Sequence, residues 1–95
     1  MESSGTSSAI VSVVGTDQVG IIAKVTAFFA GHDINIVDIN QTILSGNFVM
    51  MMMVDISKQT ANIETLKREL AALGDSINVS ISIMHEKVFN AMHRI

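Results

Sequence analysis

The 95-residue sequence contains no cysteine. This absence excludes disulfide bonds, zinc–thiolate sites and thiol nucleophiles, and it fits a reducing compartment, so we expect a cytoplasmic protein. The formal net charge is -3 and basic residues form no run, which argues against nucleic acid as a partner. The longest strongly apolar stretch, 48–54, is far shorter than the roughly 20 residues of a membrane span. We therefore expect neither a nucleic-acid nor a membrane partner.

Hydrophobic residues, by contrast, make up 48% of the chain. A chain of this length accommodates one domain, which we place at residues 9–95. Residues 1–8 are rich in serine and lack the hydrophobic segment of a signal peptide, so we expect them to be a disordered leader. So high an apolar content in a small domain predicts an apolar surface left over for a partner.

Hydrophobic periodicity predicts four strands, at 9–14, 34–44, 48–54 and 79–83. A helix is predicted after Asp17, which is well placed as its N-cap, and Gly31 is a natural stop for it. A second helix carries Ile63, Leu66, Leu70 and Leu73 on one face, with Gly74 predicted to end it. The turn 45–47 predicts a hairpin between the second and third strands. Residues 86–95 predict a short terminal helix.

The predicted strands differ in how their apolar residues are distributed. The first and third are apolar at almost every position, which is typical of central strands covered on both faces. The second and fourth alternate with polar residues, as edge strands do. The fold class is therefore α+β, a ferredoxin-like βαββαβ sandwich with antiparallel sheet order 4-1-3-2, both helices on one face, and a short C-terminal helix.

One face of such a sheet has no helix over it. Alternating residues of the third strand point to opposite faces, Met50, Met52 and Val54 to one and Val49, Met51 and Met53 to the other. An exposed apolar set predicts a homo-oligomer, expected to be a dimer, that covers the open face or extends the sheet edge to edge. The alternative is that the terminal helix covers this face through Val88, Phe89 and Met92.

The segment 15–20 joins a central strand to a helix N-terminus. Free backbone N–H groups and the helix dipole favour an anion such as a carboxylate there. Gly20 would let a ligand come close to the backbone. The structural alternative is that Asp17 is only a cap and Gly20 only permits tight packing.

These residues also carry a family resemblance. VVGTDQVGIIAKV, followed by DINIVDI at 33–39, resembles the opening of an ACT domain, with its G-x-D-x-x-G-[IL] loop and N-I pair. The closing MHEKVFNAMHRI is similar to the tail of short stand-alone ACT proteins of bacteria and archaea, which are related to the glycine-cleavage regulatory protein. The resemblance covers about residues 9–95.

The resemblance implies a non-enzymatic regulatory protein, an allosteric sensor that binds an amino acid at a homodimer interface. Backbone contacts would come from Gln18, Val19, Gly20 and Ile21. Asp17 would face the amino end of the ligand. Asn35 would come from the partner copy. No cofactor is implied. The alternative is a ligand-free interaction module that dimerises and docks on a metabolic enzyme or regulator.

Other chemistry has weaker support in the sequence. No arginine precedes Arg68, which argues against an acylphosphatase-like phosphate loop. The serines lack a recognisable partner base, so we predict no catalytic residue. His85, Glu86 and His93 are an alternative metal site, although within one helix residues 85 and 93 lie on different faces. We predict capping or solvated roles for these side chains and no metal site.

Overall fold

Seven regular elements build the described part of the chain. The structure is a computed structural model that describes residues 8–16, 18–57 and 63–92, with the backbone alone for Gln18 and Val19. The elements are β1 (Ser8–Gly15), α1 (Gln18–Gly31), β2 (Asn35–Leu44), β3 (Asn47–Asp55), α2 (Ile63–Ile77), β4 (Ser80–His85) and α3 (Glu86–Met92). The predicted order of elements is confirmed. β1 begins at Ser8, one residue before the predicted start, within the stretch that the sequence alone places in the leader.

The four strands form one antiparallel sheet in the order β2-β3-β1-β4, which confirms the ferredoxin-like prediction. β1 pairs with β3 from Ser8–Asp55 at one end to Gly15–Phe48 at the other. On its other side β1 pairs with β4. The two most apolar strands therefore lie in the centre, where both edges of each are hydrogen-bonded.

Helices α1 and α2 cover one face of this sheet and close the core. The buried hydrophobic residues are Ala9, Val11, Val13, Ile21, Val25, Phe29, Ile34, Phe48, Met50, Met52, Val54, Leu66, Leu70 and Ile83. The buried residues of α1 are four positions apart, at Ile21, Val25 and Phe29. Those of α2, Leu66 and Leu70, have the same spacing, as one apolar face of an amphipathic helix requires. Of the two sets in β3, the one that contains Met50 and Met52 faces the helices, and the one that contains Met51 faces the open side.

A tight hairpin connects β2 to β3, as predicted. Leu44 pairs with Asn47, so Ser45 and Gly46 form the loop. Both have positive φ, 53° and 81°. This is the signature of a type I′ turn, whose twist matches that of the flanking strands.

After the end of each long helix, a polar residue and not a glycine adopts the left-handed conformation. After α1 that residue is Asp33 (φ 57°), and after α2 it is Asn78 (φ 65°). The amide of Ile34 donates to the carbonyl of Phe29 (2.9 Å), the long capping bond of a Schellman motif. Gly31 is the last residue of α1, so the predicted end is confirmed there.

Gly74, by contrast, lies inside α2, and the prediction that it ends the helix is wrong. A Cβ at this position would lie 2.7 Å from the carbonyl oxygen of Val79. The amide of Val79 in turn donates to the carbonyl of Gly74 (2.9 Å). Glycine is therefore required here because the chain that leaves the helix packs directly against it.

Strand β2 departs from its predicted pattern of one covered and one wet face. All of its residues are exposed except the half-buried Ile36. Between Ile36 and Asp38 the register shifts, so that Val37 forms a β-bulge and belongs to neither face. After the bulge, Ile39 and Ile43 point to the helix side, but they remain 41% and 56% exposed because the helices do not extend over this edge.

The terminal helix α3 lies against the open face and covers only part of it. Phe89 is half-buried and lines two hollows on that face together with Ile10 and Met51. Val88 and Met92 are 51% and 63% exposed, so they do not cover the sheet. The predicted alternative of complete cover by the terminal helix is therefore wrong for the described residues, because Phe89 alone of the three named side chains packs inward.

Candidate ligand-binding site

The loop between β1 and α1 is built around a buried glycine. A Cβ on Gly15 would lie 2.7 Å from Cδ1 of Ile21 and would also overlap the side chain of Val79. Helix α1 starts at Gln18, directly after Asp17, which lies outside the described residues. The N-terminal amides of a helix have no intrahelical partner, so the first turn of α1 presents donors at this end of the sheet.

The predicted loop residues differ in what they expose to a ligand. Ile21 is 2% exposed, and its side chain belongs to the hydrophobic core, so only its backbone is available to a ligand. Gly20 is half-buried and lies in an open groove of about 560 Å³ between α1 and α2. The backbone of Gln18 and Val19 lies in the first turn of α1. This arrangement is compatible with recognition through the backbone.

Asn35 lies at the opposite end of the sheet from this loop. It pairs with Asp55, and Asp55 pairs with Ser8 at the start of β1, whereas the loop follows Gly15 at the other end. At a rise of about 3.3 Å per residue, the length of β1 separates the two ends by about 23 Å. A single chain therefore does not bring Asn35 together with the loop.

Asn35 contributes to a polar hollow of its own, of about 500 Å³. The hollow is lined by Ala30, Asp33, Ile34, Asn35 and Asp55. One carboxylate oxygen of Asp55 accepts a hydrogen bond from the amide of Ser57 (2.9 Å). Asp55 is a residue that the sequence analysis missed, because only the β2–β3 register brings it beside Asn35.

Of the three side chains of the alternative metal site, His85 and Glu86 lie within the described residues. His93 lies outside the described residues. Nδ1 of His85 accepts a hydrogen bond from the amide of Lys87 (3.1 Å), which makes His85 the N-cap of α3. Across residues 8–16, 18–57 and 63–92, no group of three or more metal-binding side chains is present.

An apolar hollow lies on the open face beside Phe89. It has a volume of about 200 Å³ and is lined by Ile10, Asp38, Ile39, Asn40, Met51, Met52, Met53 and Phe89. In the neighbouring part of this face, the hydroxyls of Ser12 and Ser82 form a hydrogen bond of 2.7 Å. The sequence analysis predicted an exposed apolar face but no hollow on it. None of the described helices combines the length and the apolarity that a membrane crossing needs.

A four-stranded antiparallel sheet with two helices on one side defines a ferredoxin-like α+β domain. Residues 7–84 match the ACT domain family, and the chain belongs to this family. ACT domains are typically regulatory and ligand-binding, and they commonly dimerise.

The similar proteins include short stand-alone ones. A UPF0237 protein of Listeria monocytogenes strain F2365 is 48% identical over 87 residues, which are 92% of this chain and 98% of the relative. The solved structure of an ACT domain protein from Streptococcus pneumoniae is 39% identical, with a TM-score of 0.80, over 92% of this chain and 98% of that one. A candidate glycine cleavage system transcriptional repressor has a TM-score of 0.76 over 90% of this chain and 49% of its own, and at 21% identity it is similar in fold alone.

Proposed function

We propose that this protein is a non-enzymatic regulatory ACT domain that binds an amino acid at the interface of a homodimer. The observation that carries the proposal is the separation of the two predicted halves of the site. The first turn of α1 and Asn35 lie at opposite ends of the sheet, so that one ligand can reach both only if they come from different copies.

The exposed edge of β2 is the surface best suited to join the copies. The strand is ten residues long, lies at the edge of the sheet and carries neither lysine nor proline, which commonly protect such edges. Four of its exposed side chains are large and apolar, namely Val37, Ile39, Ile43 and Leu44. Pairing with a second β2 would satisfy the outer backbone groups and cover these side chains.

Antiparallel pairing about a twofold axis would also complete the site. Asn35 of one copy would lie beside Leu44 of the second copy, since antiparallel strands run start to end. Leu44 is at the end of the sheet where Phe48 pairs with Gly15, next to the N-terminus of α1. The second copy's β2 would add one strand outside β2, so its Asn35 and β1 of the first copy would be three strand spacings apart, about 14 Å, which the ligand would span together with the side chains that contact it.

The two ends of an amino acid differ in charge, and the two halves of the site suit that difference. The first turn of α1 offers backbone donors to the carboxylate. Asp17 in the loop is proposed to face the ammonium group. The hollow around Asn35 contains Asp33 and Asp55, whose negative charge favours the same ammonium group.

Titration calorimetry of the full chain against a panel of amino acids tests this proposal. We expect heat with at least one amino acid, and a loss of about tenfold in affinity for Asn35→Ala, because a hydrogen bond to a charged group contributes about 1.5–3 kcal/mol. Asn90→Ala is the matched control, since Asn90 is also exposed but lies on α3, outside the proposed contact. The absence of heat with every amino acid would refute ligand sensing.

Sedimentation velocity tests the proposed β2–β2 contact between the two copies separately. We expect a dimer for the wild type and a shift towards monomer for Ile43→Lys, which places a charge in the proposed contact. Val88→Lys is the control, because Val88 is exposed to a similar extent on α3. A wild type that remains monomeric at high concentration would contradict the proposal.

A ligand-free docking module is the second candidate function, and the hollow beside Phe89 favours it. The hollow is apolar and contains several methionines, a residue type that adapts to varied partners. Chemical-shift mapping separates the two functions. An amino acid would perturb Gly20 and Asn35, whereas a docked protein would perturb Met51 and Phe89.

A further inference from the structure

His32 joins the end of α1 to α2 through both nitrogens of its ring. Nδ1 lies 2.9 Å from the carbonyl oxygen of Phe28, and Nε2 lies 2.9 Å from Oε1 of Glu69. The imidazole also stacks on the ring of Phe28, with 4.1 Å between ring centroids and 27° between planes. One side chain therefore makes three contacts at the point where α1 ends.

Only one protonation state satisfies both hydrogen bonds. A backbone carbonyl and a carboxylate are both acceptors, so each ring nitrogen must carry a hydrogen. A neutral ring has a single N–H and would direct a lone pair at one of the two oxygens.

The segment that follows His32 leads directly into the proposed site. The amide of Asp33 donates to Ala30 (3.3 Å) and that of Ile34 donates to Phe29 (2.9 Å), both across the helix end that His32 stabilises. The next residue is Asn35, the first of β2. The position of Asn35 therefore depends on how firmly this connector is held against the two helices.

Glu69 is the charged group that α2 directs at His32. Arg68 is its exposed neighbour on that helix. On α1 the preceding charged residue is Lys24, two turns before His32. In the connector, Asp33 follows His32 and is exposed. The side chains of His32 and Glu69 are 32% and 45% exposed, so solvent reaches both.

We propose that His32 is a positioning residue for the ligand site, which holds the α1–β2 connector and Asn35 in their binding arrangement when its ring is protonated. The proposal rests on the proposed function for its consequence in ligand binding. The hold on the connector itself exists in the free protein and can be tested without any ligand.

Hydrogen exchange of the ligand-free full chain tests directly whether His32 fixes the α1–β2 connector. We expect the protection factor of the Ile34 amide, corrected for intrinsic exchange, to fall roughly two- to fivefold between pH 5.5 and pH 8, the range expected for a partly exposed ion pair. His32→Ala should show the lower value at both pH values. Equal protection at both pH values in the wild type, or wild-type protection in His32→Ala, would overturn the proposal.

Glu69→Gln provides a rescue that a purely structural role would not give. A glutamine amide can accept from a protonated ring and can donate to the Nε2 lone pair of a neutral one, so protection of Ile34 should become independent of pH. Glu64→Gln is the matched control, because Glu64 is an exposed acid on the same helix whose partner is Lys67 (3.8 Å). A pH dependence that survives in Glu69→Gln would overturn the proposal.

Calorimetry with an amino acid that binds the wild type completes the test. We expect its affinity to be two- to fivefold weaker at pH 8 than at pH 5.5 in the wild type and unchanged with pH in Glu69→Gln. Binding that ignores pH while the protection of Ile34 changes would overturn the positioning role alone. The absence of binding by every amino acid would refute the proposed function. The exchange data would still show whether His32 fixes the α1–β2 connector.

Discussion

Replacement of Gly74 by alanine is expected to destabilise the protein, although helix propensity predicts the opposite. Alanine is favoured over glycine inside a helix by about 1 kcal/mol. At this position, however, the new Cβ would lie 2.7 Å from the carbonyl oxygen of Val79 and 3.3 Å from Cγ1 of Ile81. Both neighbours are fixed, since Val79 donates a capping bond to Gly74 itself and Ile81 packs against the core.

The sign of the effect follows from the two opposing contributions. Overpacking of this kind costs about 1–3 kcal/mol, so the net change for Gly74→Ala is a loss of roughly 0–2 kcal/mol. Gly31→Ala provides the reference, because a Cβ there has nothing within 4 Å and φ is not positive. That variant should gain about 0.4–1 kcal/mol. The two alanine variants should therefore differ by about 0.4–3 kcal/mol.

Thermal and urea unfolding, followed by circular dichroism at one fixed protein concentration, measure this difference. For a domain of this size, 1 kcal/mol shifts the Tm by roughly 4–8 °C. A fixed concentration is needed because self-association would stabilise the folded state by mass action. A Gly74→Ala variant as stable as Gly31→Ala would show that the end of α2 yields easily and that the steric argument is wrong.

Two further variants test the hairpin and the terminal helix by the same unfolding assays. Gly46→Ala should lose about 1–2 kcal/mol because φ is 81° there, whereas Ser45→Asn at the other left-handed position should be neutral or slightly stabilising; equal stability of the two would contradict the turn assignment. Phe89→Ala should lose about 1.5–2.5 kcal/mol, roughly half the cost at a fully buried site, and Val88→Ala should lose less than about 0.5 kcal/mol. Equal losses would contradict the inward packing of Phe89.

The sequence predicts the element order, the hairpin and the sheet order, because each depends on local signals. Continuous apolar runs distinguish the central strands from the alternating edge strands, and a short polar turn with glycine marks the hairpin. The ends of the helices are harder to predict from the sequence than the order of the elements. Glycine, asparagine and aspartate all adopt the left-handed conformation, so Gly74 and Asn78 are both reasonable ends for α2. Only the packing of Val79 against the helix distinguishes them.

The pattern of β2 shows what periodicity cannot supply. Alternation of Ile39 and Ile43 with polar residues predicts an apolar face, and the structure does place both on one side. It does not predict that this side lies beyond the reach of the helices, because the lateral extent of a neighbouring layer is not encoded within the strand. The same limit applies to His32 and Glu69, which are 37 residues apart in the sequence.

The two halves of the candidate site were named from local motifs, but their separation follows from topology. β1 and β2 run parallel on either side of β3, so the end of β1 and the start of β2 must lie at opposite ends of the sheet. This could be deduced once the strand order was predicted. The meeting of Asn35 with Asp55 could not be deduced, since it depends on a register that contains a bulge.

The bulge at Val37 also gives the chain a place where its length can vary. Ile36 pairs with Val54 and Asp38 pairs with Met53, so the residues on either side of Val37 already form consecutive rungs of the ladder. A related chain that lacked this residue would have an uninterrupted strand with every remaining side chain on its present side. Loss of a residue elsewhere in the ladder of β2 would turn the following segment over. The loss of one residue can thus be absorbed at Val37 without a change in the surfaces that the strand presents.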